Sequence, residues 1–99
     1  MELNKLIKDC HKTALDKGWW EKPRDFPTVV MMVITELSEA VQEDRKKDDD
    51  RYEKTEMEIA DTLIRLFDLC GAYFPDIEKA ILKKMEFNKN RPYRHKRRY

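Results

Sequence analysis

Apolar side chains recur at intervals of three and four residues along most of this chain, the spacing that places them on one face of an α-helix. The first run predicts a helix that ends at Gly18, and its apolar members are Leu3, Leu6, Ile7, Cys10, Ala14 and Leu15. The segment 19–27 lacks this period and contains two prolines, which predicts a connector. Thr28 is then the expected N-cap of a second helix that reaches about Arg45.

The same spacing predicts two more helices. After a polar link at 46–51, whose aspartates suit the positive N-terminal end of a helix, a third helix is expected over 52–70. Gly71 and Pro75 mark a break before a fourth helix, expected over 75–88. The predicted inward residues are Val29, Val30, Val33, Ile34, Leu37, Ala40 and Val41 in the second helix, Met57, Ala60, Leu63, Ile64, Phe67 and Cys70 in the third, and Ile77, Ala80, Ile81, Lys84 and Met85 in the fourth.

Composition agrees with a single all-α domain. A length of 99 residues is that of one domain, and 41% charged residues leave little apolar material for a deep core. Two glycines and four prolines are too few for the many tight turns of a β-sandwich or barrel. We therefore predict a helical domain over residues 1–93 and a basic tail over 94–99, with oligomerisation completing the bundle.

The formal net charge of +1 conceals an uneven distribution along the chain. Residues 83–99 carry eight Lys/Arg and one Glu, so the first 82 residues carry six net negative charges. A basic tail of this kind can bind nucleic acid or a membrane surface, or it can supply cations to a phosphate site on the same protein. The sequence by itself does not separate these roles.

The cysteines and the N-terminus bear on the cellular compartment. Cys10 and Cys70 lie in apolar helical runs and lack the repeated spacing of a zinc site. Nothing at the N-terminus resembles a signal peptide, and no run of 18 apolar residues is present. We expect a cytoplasmic protein with reduced thiols and no membrane association.

Two pairs of acidic residues fall three apart inside otherwise apolar helices. The pairs are Glu36 with Glu39, and Glu58 with Asp61. On a helix such a pair projects from one face, with Cβ atoms about 5–6 Å apart. Because a short link joins the second and third helices, they should be antiparallel neighbours, and both pairs can converge. Either pair alone is more often a feature of a solvated surface, but two beside the apolar faces of consecutive helices favour a site.

Four converging carboxylates repel one another unless a cation compensates their charge. Oxygen ligands without Cys or His favour Mg²⁺, with Mn²⁺ as the alternative, and Mg²⁺ usually shares its coordination sphere with substrate phosphates. The acidic pairs therefore predict a divalent-cation site that serves phosphate chemistry.

These segments resemble the motifs of a known superfamily. The pattern ExxE, a spacer over residues 40–57, and then ExxD is similar to that of the MazG-like all-α nucleoside triphosphate pyrophosphohydrolases, which include dimeric dUTPases, dCTP pyrophosphatases and phosphoribosyl-ATP pyrophosphohydrolase. Residues 84–93, KMEFNKNRPY, resemble the KxxxNxxR stretch of the MazG-like and dCTP pyrophosphatase branches. The resemblance spans about Gly18 to Tyr93. Many relatives carry an extra acid where this chain has Thr35, which leaves the number of metals open.

The resemblance implies a bundle of four to five helices, assembled into a homodimer or homotetramer, that hydrolyses a nucleoside triphosphate to the monophosphate and pyrophosphate. It makes the metal ligands Glu36, Glu39, Glu58 and Asp61, with Glu39 also orienting or deprotonating the attacking water. Lys84 and Arg91 would bind phosphate oxygens, and Asn88 would bind a sugar or base edge. Trp19 and Trp20 are candidates to stack on a nucleobase, and packing in the core or at an interface is at least as well favoured for both.

Two other classes of protein compete with the enzyme. A helical module that uses the basic tail to bind RNA or DNA would show salt-sensitive retention on nucleic acid and no metal dependence. A catalytically silent helical interaction partner would turn over no nucleotide. We favour the enzyme, for which nucleic acid is not the expected partner. The sequence specifies neither the preferred nucleotide nor the choice between dimer and tetramer.

Overall fold

The computed structural model describes residues 2–92, and this part of the chain is all-α, as predicted. Its helices are α1 (Glu2–Asp16), α2 (Phe26–Lys46), α3 (Arg51–Tyr73) and α4 (Ile77–Lys89). The predicted tail at 94–99 lies outside the described residues, together with Met1 and Tyr93.

Gly18 ends the first helical segment, as the sequence predicts. Its φ of 83° is left-handed, a conformation that glycine adopts without the steric cost of a Cβ atom. The amide of Trp19 donates to the Ala14 carbonyl at 3.0 Å, and that of Gly18 donates to the Leu15 carbonyl at 3.2 Å. These two bonds satisfy carbonyls left free at the helix end, and they turn the connector back along α1.

The predicted N-cap of α2 was wrong by three residues. Asp25 is the N-cap, and its Oδ1 atom accepts a hydrogen bond from the backbone amide of Thr28 at 3.0 Å. Pro27 lies in the first turn of the helix, where its missing amide costs nothing because the first amides of a helix have no intrahelical partner. The proline that suggested a connector therefore belongs to the helix.

The predicted break contains Pro75, as expected, but it begins later than Gly71, because α3 continues to Tyr73. Gly71 serves the packing of α1 against α3 instead. A Cβ atom at this position would lie 2.4 Å from the Cβ atom of His11, much closer than two carbon atoms can approach. The absence of a side chain at Gly71 thus lets the two helices come together.

The helix α3 is central, because both α1 and α2 pack along it. Contacts between α2 and α3 run in opposite directions along the two helices: Arg51 lies 3.8 Å from Asp44 near the link, and Arg65 lies 3.1 Å from Glu36 farther away. The pair is therefore antiparallel, as the short link predicted. By contrast, α4 makes only sparse contact, chiefly with α1.

The core of the single chain is smaller than the apolar pattern predicted. The buried apolar residues are Ile7, Val29, Ala40, Leu69 and Cys70. Several predicted inward residues are exposed instead, namely Leu6, Leu15, Ile34, Leu37, Val41, Met57, Leu63, Ile64, Ala80, Ile81, Lys84 and Met85. One reason is that α4 covers little of the other helices. Among residues 2–92, none of the helices combines the length and the hydrophobicity that a membrane span requires.

Both cysteines are free thiols, with Cys10 half-buried and Cys70 buried. Burial raises the pKa of the Cys70 thiol above its ordinary value. Burial also raises the pKa of Cys10, and the negative charges of Asp68 and Asp9 add to the effect. Both groups are accordingly poor nucleophiles near neutral pH, because the thiolate is the reactive form.

Candidate metal centre

Three of the four predicted ligands come together between α2 and α3. Glu36, Glu58 and Asp61 each offer a carboxylate oxygen, and these oxygens all lie within 4.8 Å of one another. Glu36 and Glu58 are half-buried, whereas Asp61 is exposed at the edge of the group. The i, i+3 spacing puts Glu58 and Asp61 on one face of α3, and the antiparallel packing brings Glu36 opposite them.

The fourth predicted ligand, Glu39, lies beside Glu58. Three causes raise the pKa of Glu58: partial removal from water, a hydrogen bond with the Glu39 carboxylate, and the negative charges of Glu39, Asp61 and Glu36. The negative charges of these neighbours oppose ionisation of Glu58. The acidic residues therefore crowd one another, as their spacing predicts.

The chemistry of this group fits a divalent cation. The Oε2 atom of Glu58 is buried and accepts no hydrogen bond from the described residues. A buried carboxylate oxygen without a donor loses the solvation that it had in water, and a cation restores it. Every atom of the group that could bind a metal is an oxygen. Mg²⁺ and Mn²⁺ prefer oxygen ligands over the sulfur of Cys or the nitrogen of His.

Arg65 also belongs to this site, although it lies outside the sequence motifs. Its Nε atom donates to the Oε1 atom of Glu36 at 3.3 Å, and its Nη2 atom forms an ion pair with the same oxygen at 3.1 Å. The central carbon of the guanidinium lies 3.4 Å from the centroid of the Trp19 ring, a cation–π contact. The available signal was its position four residues after Asp61, which places both side chains on one face of α3.

A cavity of about 270 Å³ adjoins the carboxylates. Its wall is mostly apolar and comes from α1, the connector, α2 and α3. The lining residues are Cys10, Thr13, Ala14, Lys17, Trp19, Glu36, Asp61, Ile64, Arg65 and Asp68. Two members of the acidic group, Glu36 and Asp61, thus form part of a cavity that also presents an aromatic ring and two cations.

Trp20 is held by contacts within the protein. Its Nε1 atom donates to the Asp68 carboxylate, at 3.0 Å from Oδ1 and 3.2 Å from Oδ2. Its ring meets those of His11 and Tyr73 edge to face. Of the two adjacent tryptophans it is Trp19 that lines the 270 Å³ cavity, whereas Trp20 lines a smaller, neighbouring one.

The remaining predicted residues lie on or just after α4, away from this cavity. The Lys84 ammonium lies 4.6 Å from the centroid of the Phe87 ring, and the Arg91 guanidinium lies 5.9 Å from it. Arg91 also donates to the Asn88 side chain at 3.4 Å. No residue of α4 is among those that line the cavity. The structure therefore groups Lys84, Asn88 and Arg91 with one another and does not bring them to the carboxylates of the same chain.

Comparison of the chain with protein-family models, with curated proteins and with solved structures found no match.

Proposed function

We propose that this protein hydrolyses a nucleoside triphosphate to the monophosphate and pyrophosphate in a Mg²⁺-dependent reaction, as its resemblance to the MazG-like enzymes implies. The observation that supports this most is the meeting of Glu36, Glu58 and Asp61 oxygens within 4.8 Å, where one buried oxygen of Glu58 has no hydrogen-bond donor. Such a group is costly for a folded protein unless a cation belongs there.

The substrate class follows from what surrounds the carboxylates. The adjoining cavity places the Trp19 ring and apolar side chains next to Glu36 and Asp61, so an aromatic base and a phosphate chain can be bound together. Lys17 and Arg65 supply positive charge along the same wall. A nucleotide has both parts, whereas an inorganic phosphate would leave the apolar wall without a ligand.

The proposed reaction assigns separate tasks to the acidic residues. Glu36, Glu58 and Asp61, with Glu39, would hold Mg²⁺, which neutralises charge on the phosphate oxygens when it is bound. Glu39 would orient a water molecule and take its proton. The water oxygen forms a bond to the α-phosphorus while the bond from that phosphorus to the α,β-bridging oxygen breaks, and pyrophosphate leaves.

A second copy of the chain is part of this proposal. The radius of gyration is 16.5 Å, compared with about 13 Å for a compact domain of this length. Apolar side chains of α4 remain exposed, including 60% of Met85 and 59% of Phe87. Packing α4 of one copy against the exposed side of α2 and α3 in another would bury both surfaces. It would also bring Lys84, Asn88 and Arg91 of one copy close to the carboxylates of the other.

The test is a pyrophosphate-release assay over the eight common ribo- and deoxyribonucleoside triphosphates, with and without Mg²⁺. We expect metal-dependent release from at least one of them by the wild type, and a loss of at least about 100-fold in Glu39→Gln. Glu43→Gln is the matched control, because Glu43 lies on the same helix and is bound to Lys46 at 2.6 Å. If the wild type releases pyrophosphate from none of the eight, the proposal is rejected.

A further inference from the structure

We propose that Arg65 is a phosphate-binding residue of this site, which takes up phosphate oxygens of the nucleotide from its position between Glu36 and Trp19. This inference rests on the proposed function, since the phosphate belongs to the substrate of that site. It adds a residue that neither the acidic motifs nor the cationic stretch on α4 contains.

The position of Arg65 is built by three elements of the fold. It follows Asp61 by one helical turn on α3, Glu36 approaches it from α2, and the connector lays the Trp19 ring against the guanidinium. Its side chain is 23% exposed, so it lies at the wall of the cavity without extending into bulk solvent. The guanidinium is planar, and its N–H groups form a fork that suits binding of tetrahedral oxyanions by two donors.

The hydrogen bonds of Arg65 are incomplete. Both of its contacts go to one oxygen of Glu36, and its Nη1 atom is buried with no acceptor among the described residues. A buried N–H group without an acceptor is unfavourable, so the guanidinium gains free energy if it turns to place Nη1 against the oxygen of a ligand in the cavity. Arg65 and Asp61 both line the cavity, so such a ligand would be adjacent to the carboxylates.

Electrostatics points to the same class of ligand. An anionic phosphate chain that approaches Glu36, Glu39, Glu58 and Asp61 meets strong repulsion, and a bound divalent cation offsets only part of it. Among the residues that line the cavity, the two cations are Lys17 and Arg65, and Lys17 is an exposed side chain at the end of α1. Arg65 is the cation already held in place next to the carboxylates.

A purely structural role for Arg65 makes a different prediction. If Arg65 only holds Glu36 in position, its removal should weaken metal binding. The affinity for phosphate should then fall by no more than the affinity for the metal. If it binds phosphate, its removal should weaken phosphate binding, while metal affinity stays equal or rises because a positive charge beside the carboxylates is gone. The two roles therefore differ in how the two affinities change relative to each other.

The experiment measures both affinities on the full chain by calorimetry. Mn²⁺ alone is the metal probe, and inorganic pyrophosphate in saturating Mg²⁺ is the phosphate probe. The variants are Arg65→Gln, Arg65→Lys and a control, Arg51→Gln, which removes an exposed arginine of the same helix from its 3.8 Å pair with Asp44. We expect Arg65→Gln to bind pyrophosphate at least about tenfold more weakly, Arg65→Lys to lie between it and the wild type, and the control to match the wild type.

Three results would overturn the inference. They are no binding of pyrophosphate by the wild type, unchanged pyrophosphate binding by both Arg65 variants, or a loss of pyrophosphate affinity no larger than the loss of Mn²⁺ affinity. Should Arg65→Gln fail to fold, Arg65→Lys keeps the charge and still loses the planar fork, so its pyrophosphate affinity decides alone. Nucleotide turnover separates this inference from the proposed function. If the wild type and the Arg65 variants hydrolyse the same nucleotide with equal KM values, the proposed function holds. Arg65 then has no part in binding the substrate.

Discussion

The Nδ1 atom of His11 on α1 lies 2.7 Å from the Oδ1 atom of Asp68 on α3. The same carboxylate accepts the indole N–H of Trp20, so one buried acid joins the first helix, the connector and the central helix. Asp68 also lines the cavity beside the carboxylates. These bonds fix the connector that carries Trp19, and the shape of the cavity depends on them.

Asp68→Ala should therefore destabilise the protein. The change leaves the N–H groups of His11 and Trp20 without their acceptor in a half-buried setting, a cost of about 1–3 kcal/mol in the free energy of unfolding. Urea unfolding measures it. The control is Asp16→Ala, which removes an exposed pair with Lys12 on α1 and should cost less than about 1 kcal/mol. Equal losses in the two variants would show that the network around Asp68 contributes nothing special.

Gly71→Ala should lower stability although alanine favours helix. In an open helix this change gains roughly 0.5–1 kcal/mol. Here the new Cβ atom would lie 2.4 Å from that of His11, so α1 and α3 must separate, and overpacking of this kind costs about 1–3 kcal/mol. The urea midpoint should fall, whereas Gln42→Ala on the exposed side of α2 should change it little. If the urea midpoint rises in Gly71→Ala, α1 and α3 are farther apart at this position than the structure places them.

Glu58→Gln should stabilise the metal-free protein near neutral pH. The pKa of Glu58 is raised above its ordinary value of 4.5, so its ionisation is less favourable in the folded than in the unfolded chain. Its contribution to stability is thus fully present at pH values below 4.5 and is lost as the pH rises through the raised value. Glutamine does not ionise, so the advantage of the variant should grow with pH.

Thermal unfolding in a chelator, from about pH 4 to about pH 8, measures this advantage. Glu56→Gln, which removes an exposed acid of the same helix outside the group, should show no comparable trend. Added Mg²⁺ should raise the unfolding temperature of the wild type more than that of Glu58→Gln. A Glu58→Gln protein that is less stable than wild type at neutral pH without metal would contradict the crowding of the carboxylates.

Mixing two inactive variants should restore activity if α4 acts on a partner. Glu58→Gln removes a carboxylate from one copy and Lys84→Gln removes a cation on α4 from the other. A mixed dimer then contains one site with both residues intact, so an equimolar mixture should recover roughly a quarter of the wild-type rate. Glu58→Gln mixed with Glu36→Gln is the control and should stay inactive. If Lys84→Gln is fully active alone, or if the mixture of Glu58→Gln and Lys84→Gln recovers no activity, α4 does not act on the site of a partner.

The helices and the acidic pairs were predictable because both depend on local spacing. A three- and four-residue apolar period specifies a helix wherever it occurs, and the i, i+3 rule places Glu58 and Asp61 on one face without any tertiary information. Capping was less predictable. Asp25 and Thr28 are both good N-cap residues, and the choice between them depended on whether Pro27 could enter the first turn.

Other features depended on residues distant in the sequence. Glycine is typical of a helix end, yet Gly71 lies inside α3, where His11 packs against it. Arg65 has the appearance of a surface arginine until Glu36 and Trp19 are placed around it. Trp19 and Trp20 are indistinguishable as neighbours in the chain, and only the packed connector separates the ring that lines the larger cavity from the one bonded to Asp68.

The sequence by itself determined an all-helical chain with two acidic pairs on consecutive helices, because helix periodicity and the direction of side chains on a helix are properties of neighbouring residues. Only the tertiary structure decided which oxygens meet, which cation stands beside them and which apolar faces stay uncovered. These depend on the crossing and depth of helices that pack against each other from distant positions. A shift of one helix by a few ångströms would change every such distance and leave the apolar period unaltered.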